Sequence, residues 1–89
     1  MKAREFIEEY LSSCDDNIVC LHSPHEYSGI TFTIHDWRTG RTDKPISEWD
    51  SEWGLECEIS QIRAEVENYR YNLAVVIHIY TEYPCEEAR

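Results

Sequence analysis

The run Leu73-Ala74-Val75-Val76-Ile77-His78-Ile79-Tyr80 constrains the fold more than any other stretch of the chain. Along an extended backbone Leu73, Val75, Ile77 and Ile79 point one way, and Ala74, Val76, His78 and Tyr80 point the other. A strand solvated on one face alternates apolar with polar residues. A run apolar at both sets of positions belongs to a strand covered on both faces. Leu73–Tyr80 is therefore expected to be the central strand, with neighbours on either side and cover above and below.

The rest of the chain supplies candidates. Phe6, Ile7, Tyr10 and Leu11 recur at helical spacing with Glu5, Glu8 and Glu9 opposite, which predicts a helix over residues 2–13. It is too short to stand alone and must dock, most simply on a sheet. Asn17–His22 reads as a strand. Gly29–Asp36 reads as a second, half-buried strand, with Ile30, Phe32 and Ile34 inward. Trp37-Arg38-Thr39-Gly40 then predicts a tight hairpin loop, with Arg41–Lys44 returning as a short edge strand closed by Pro45. Residues 46–53 form a connector.

Two patterns compete in residues 55–67. Leu55, Ile59, Ile62, Val66 and Tyr69 step as a helical stripe. Leu55, Cys57 and Ile59 alternate as a strand, as do Ile62, Ala64 and Val66. One bulge near Ser60-Gln61 joins the alternating halves and accounts for all six apolar positions. The bulged strand is favoured because it also gives Leu73–Tyr80 a sequence-adjacent partner, with the turn inside residues 67–72. The expected fold is α+β, a single domain over residues 1–89 with an N-terminal helix packed on an antiparallel sheet of about four to five strands.

Charge narrows the function classes. Eighteen acids against eight bases give a net charge of −10. Such a chain repels nucleic acid and attracts basic surfaces. Only Arg38, Arg41 and Lys44 cluster as a basic patch, too little for direct nucleic-acid binding. No stretch has transmembrane length. Met1–Phe6 opens into a charged helical pattern without an apolar leader, so a cytoplasmic location with reduced thiols is expected for Cys14, Cys20, Cys57 and Cys85.

Catalytic constellations are not evident. Cys57 lies between Glu56 and Glu58, which disfavours a thiolate nucleophile. No acid sits in an apolar stretch, and no glycine-rich phosphate loop occurs. Cys20, His22 and His25 are legitimate zinc ligands, but the paired spacing of a structural zinc site is missing. They are expected to be ordinary core or loop residues, with no metal or cofactor. His78 reads as a core histidine. The expectation is a protein that is not an enzyme.

The acidic surface remains. Seven acids and one base, Arg63, occupy Glu48–Glu67. In the strand reading Glu56 and Glu58 share one face, and so do Glu65 and Glu67, at about 7 Å spacing. A spaced row of carboxylates resembles a phosphate backbone. Trp49 and Trp53 interleave with Asp50 and Glu52 and offer aromatic anchors. The candidate partner-binding set is Glu48, Trp49, Asp50, Glu52, Trp53, Glu56, Glu58, Glu65 and Glu67.

The opening MKAREFIEEY, the DWRTGR segment and the late VVIHIYTE resemble small acidic proteins of phages and mobile elements of gut Firmicutes. In size and charge the chain is also similar to anti-CRISPR proteins and other DNA-mimic inhibitors. These families share size and charge rather than motifs, so no residue role carries over. The resemblance implies an inhibitor that blocks the nucleic-acid site of a basic, nucleic-acid-handling effector, a CRISPR effector among them, in the host cytoplasm, as a monomer or homodimer. The alternative is a small adaptor of a mobile element acting through apolar contacts or dimerisation.

Overall fold

A computed structural model describes residues 1–24, 29–40, 45–48 and 54–85. The fold is α+β. Helix α1, Ala3–Phe6, continues into a π-helical turn, Ile7–Leu11. Strands β1, Ile18–His22, and β2, Ile30–Thr33, lead into helix α2, Ile34–Thr39, and a 3-10 turn, Ile46–Glu48. Strands β3, Cys57–Tyr69, and β4, Asn72–Cys85, complete a four-stranded sheet ordered β2-β1-β4-β3.

The sheet is mixed rather than wholly antiparallel. The pairs β1–β2 and β3–β4 are antiparallel, but β1 and β4 run parallel. Pairing between consecutive strands follows from short connections. The meeting of the two pairs is set by the long stretch between them, whose path no local pattern marks.

Val19, Leu21, Phe32 and Ile79 line one sheet face and pack with Ala3, Ile7 and Leu11 of the N-terminal helix and with Ile34, Trp37, Ile46 and Leu55. The helix thus buries a stripe at every fourth residue, while Tyr10, expected inward, is exposed. Arg4 anchors the helix on three sides. It ion-pairs with Glu56, donates to the Ser47 carbonyl and lies over the Trp37 ring at 5.8 Å. A smaller cluster, Ile18, Cys20 and Val76, occupies the opposite sheet face.

The predicted strand Gly29–Asp36 and the hairpin loop after it are corrected. The strand stops at Thr33, whose hydroxyl caps α2 by accepting from the Asp36 amide at 3.1 Å. Gly40, at φ 86°, ends that helix. Thr-x-x-Asp ahead of a buried Trp37 is a helix-start signal that outweighs strand alternation. The expected return strand Arg41–Lys44 lies outside the described residues.

The bulge falls where the apolar pattern requires it. Register shifts between Ile59 and Gln61, and Ile62 then pairs with Ile79; a second, unexpected shift lies between Cys57 and Glu58. The hairpin closes through Arg70 and Tyr71, with φ of 49° and 71°. Two consecutive positive φ values are what the right-handed strand twist asks of a two-residue turn, and neither residue type favours them. Substituting R70N/Y71G is expected to stabilise the fold by about 1 kcal/mol. The substitution also removes the ion pair between Arg70 and Asp36, which is long at 3.6 Å and lies at the surface on the arginine side, so it contributes little. A raised urea midpoint with unchanged m-value is the readout.

The expectation of reduced thiols fails at one position: Cys57 is disulfide-bonded. In register it lies opposite Cys85, 28 positions away in sequence. Only the hairpin brings those positions together, so spacing carried no sign of it.

Candidate functional site

Parallel pairing of β1 covers β4 only over Val76–Tyr80. Before Val76, residues 72–75 of β4 and 66–69 of β3 therefore extend past β1 as a two-stranded arm. The central run is covered on both faces only in its second half, a correction to the expectation for Leu73–Tyr80. Leu73, Val75 and Val66 are 73%, 58% and 68% exposed, and Ile62 is also exposed. Register places Val66 opposite Val75 and Ile62 opposite Ile79. Ile79 is buried against the helix, so the outer arm continues the core face into solvent with no described element over it.

The other face carries the small cluster of Ile18, Cys20 and Val76, with Tyr69 and Ala74 against it, and beside it a group of polar side chains. Strand alternation puts Cys20 and His22 of β1, His78 and Tyr80 of β4, and Glu65 and Glu67 of β3 on it together. Cys20 pairs with His78 in the parallel register. His22 Nε2 lies 2.8 Å from His78 Nδ1, and His78 Nε2 is hydrogen-bonded to Glu67. Glu65 stands 3.8 Å from the same nitrogen and pairs with Arg63 at 3.0 Å. The His22 ring stacks on Tyr80 at 4.2 Å.

Burial, and then His78, hold the His22 pKa below its ordinary value against the opposing pull of Glu67. A lowered pKa favours the neutral ring, which has one nitrogen lone pair. Burial pushes the Cys20 thiol up; Glu67 adds to this and the Thr31 hydrogen bond opposes it. One donor atom from each of Cys20, His22 and His78 lies within 4.8 Å of the other two, as do donor atoms of Glu65, Glu67 and His78. These are metal-ligand sets by residue type and distance.

Four of the acids expected at the binding surface have partners. Glu56 precedes β3 and is held by Arg4. Glu58 accepts from the Met1 amine at 2.8 Å. Glu65 and Glu67 turn toward Arg63 and His78. Glu48 is exposed on the 3-10 turn. Trp49, Asp50, Glu52 and Trp53 lie outside the described residues, as does His25. The His78 cluster escaped sequence reasoning because its parts come from three strands. The legible trace was Cys20 and His22 at strand spacing on β1, together with a histidine inside an otherwise aliphatic strand.

Comparison with protein-family models, with curated proteins and with solved structures finds no match to this chain. Among the described residues, no helix is long and apolar enough to cross a membrane.

Proposed function

We propose that this chain acts by binding another protein and not by catalysis, and that the β3–β4 arm is its docking element. The observation that carries the reading is the solvent-exposed apolar face of the arm, Val66, Leu73 and Val75, with Ile62 continuing it along β3, on a chain of net charge −10. Contiguous exposed apolar surface of this kind belongs to interaction sites. The charge selects the partner: a basic, nucleic-acid-handling protein attracts this chain and orients it. In its most specific form the reading is an anti-CRISPR-like inhibitor that occludes the nucleic-acid site of an effector, with the net charge of −10 drawing the two together and the apolar face of the arm making the contact.

Such an inhibitor works in the cytoplasm of a bacterial host. Thiols are kept reduced there, so the reading requires that binding survive reduction of the Cys57 disulfide. The test is DNA cleavage by a panel of CRISPR effector nucleases with the chain in excess. Inhibition is expected for at least one of them. Its affinity should fall about tenfold or more between about 50 and about 200 mM salt, and about threefold to tenfold more in E48K/E65K. No inhibition across the panel, or inhibition indifferent to salt and to both reversals, rejects the acidic-inhibitor form.

A second reading, an adaptor that dimerises, rests on a different observation. Strand β3 is an edge of the sheet; the amino terminus bridges it at Glu58 and Ile59, and beyond Gln61 no further strand pairs with it among the described residues. Long edges recruit further strands. Antiparallel pairing of two β3 edges sets Glu65 and Glu67 against their copies, so salt strengthens this dimer where it weakens a complex with a basic partner. Sedimentation at two salt concentrations separates the two readings.

A further inference from the structure

We infer that Cys20, His22 and His78 form a binding site for a transition-metal ion of the zinc class, with Glu67 orienting His78 from behind. The site lies on the sheet face opposite the core helix and does not depend on the docking role of the arm. Parallel pairing creates it: Cys20 and His22 point the same way from β1, and the register sets His78 of β4 beside Cys20.

A thiolate and two imidazoles are the donors zinc prefers, and three protein ligands leave a fourth position for water or a partner's side chain. Ordinary zinc bond lengths put two nitrogen ligands about 3.3 Å apart and a nitrogen and a sulfur about 3.6 Å apart. His22 Nε2 and His78 Nδ1 stand 2.8 Å apart and need open only about half an ångström. The separation limit of 4.8 Å for the donor set leaves about 1.2 Å at most to close, within side-chain rotation.

The surroundings fit a ligand histidine. When Nδ1 of His78 takes the metal, Nε2 carries the proton and donates it to Glu67, its present partner. Carboxylate, imidazole and metal in line is the usual support for a metal-binding histidine, fixing its tautomer and raising its basicity. Glycine at position 29 lets the backbone pass close to the two β1 side chains: a side-chain carbon there would crowd Cys20 Sγ at 3.0 Å and His22 Nδ1 at 3.1 Å. A structural relay accounts for the two histidines and Glu67, and Cys20 also packs with Ile18 and Val76; the metal reading rests on the sulfur lying within 4.8 Å of a nitrogen of each histidine. Binding displaces the thiol proton of Cys20 to solvent and forms the metal–sulfur bond; the proton that His22 Nε2 shares with His78 Nδ1 moves to His22 Nδ1, freeing both facing nitrogens for the metal. The second donor set, Glu65, Glu67 and His78, offers one nitrogen and two oxygens, already engaged with Arg63 and His78. It is the weaker claimant for zinc.

Cobalt(II) tests the site, because thiolate ligation gives it a sulfur-to-cobalt charge-transfer band and tetrahedral ligation gives intense visible bands. The full chain, with its disulfide intact, is titrated with cobalt and then with zinc, and affinity is read by calorimetry. One ion per chain is expected, with the charge-transfer band present and zinc displacing cobalt. Cys20→Ser should remove the band, and Cys14→Ser, an exposed free thiol, should leave it. His22→Gln is expected to weaken binding about 100-fold, and Glu67→Gln about tenfold. His22 is only half-buried, so its variant should fold even if His78→Gln does not. Absence of stoichiometric binding to the wild-type chain overturns the proposal. So does a band that survives Cys20→Ser, or binding that lacks the band and follows Glu65 and Glu67 instead.

Discussion

Phe32→Ala is expected to bring this fold close to unfolding. Phe32 is fully buried and stacks on Trp37 with ring centroids 5.8 Å apart. It sits on β2, a four-residue edge strand, and is the side chain through which that strand and α2 share the core. Truncating a buried phenylalanine typically costs about 3–5 kcal/mol, a transfer loss plus a cavity that neighbours fill only in part. A domain of this size has about 4–13 kcal/mol in total. A loss of about 3 kcal/mol corresponds to a fall of about 12–24 °C in melting temperature. Phe32→Leu keeps most of the volume and should lose less than about 1.5 kcal/mol. Urea unfolding followed by circular dichroism decides between these outcomes. A loss under about 1 kcal/mol for the alanine variant would place Phe32 outside the core.

Phe32 was legible as a core residue because strand alternation exposed it, and so were Val19, Leu21 and Ile79. The bulge near Ser60-Gln61 was legible too, since a two-residue period that breaks once and resumes admits few other geometries. The helix Ile34–Thr39 was missed even though Thr33 and Asp36 stood at capping distance. Ile30, Phe32 and Ile34 continue an alternating pattern through the cap, and a capping signal of four residues yields to a periodic one unless both are weighed. The parallel β1–β4 contact had no local signature at all. That omission propagated to function. Without the contact, His78 could not be placed beside Cys20 and His22, and half of the central run read as buried where it is bare. The surroundings of the acids were hidden for a related reason. Periodicity can say that Glu65 and Glu67 share a face, but not that the face holds a histidine, nor that Arg4 and the amino terminus reach Glu56 and Glu58.

The bare half of that run gives the sharpest test of the proposed binding role. In V66T/L73K two of the most exposed apolar side chains of the arm are made polar, while threonine at position 66 keeps a β-branched strand former. Neither side chain contributes to the buried core, so stability should change by no more than about 0.5 kcal/mol. Binding should behave differently. Apolar anchors at the centre of an interface typically contribute about 2 kcal/mol or more, so affinity for a partner that docks on the arm should fall about 30-fold or more. The same variant separates the second reading, because a dimer closed by backbone pairing along β3 does not use this face and should still sediment as a dimer. The pair of readouts matters because the two faces of the arm are chemically distinct yet share their strands. A variant that loses binding while retaining both its unfolding midpoint and its cobalt spectrum assigns the loss to the apolar face alone. A variant that binds as tightly as the parent excludes the arm as the docking element and leaves the acidic surface as the remaining basis for recognition.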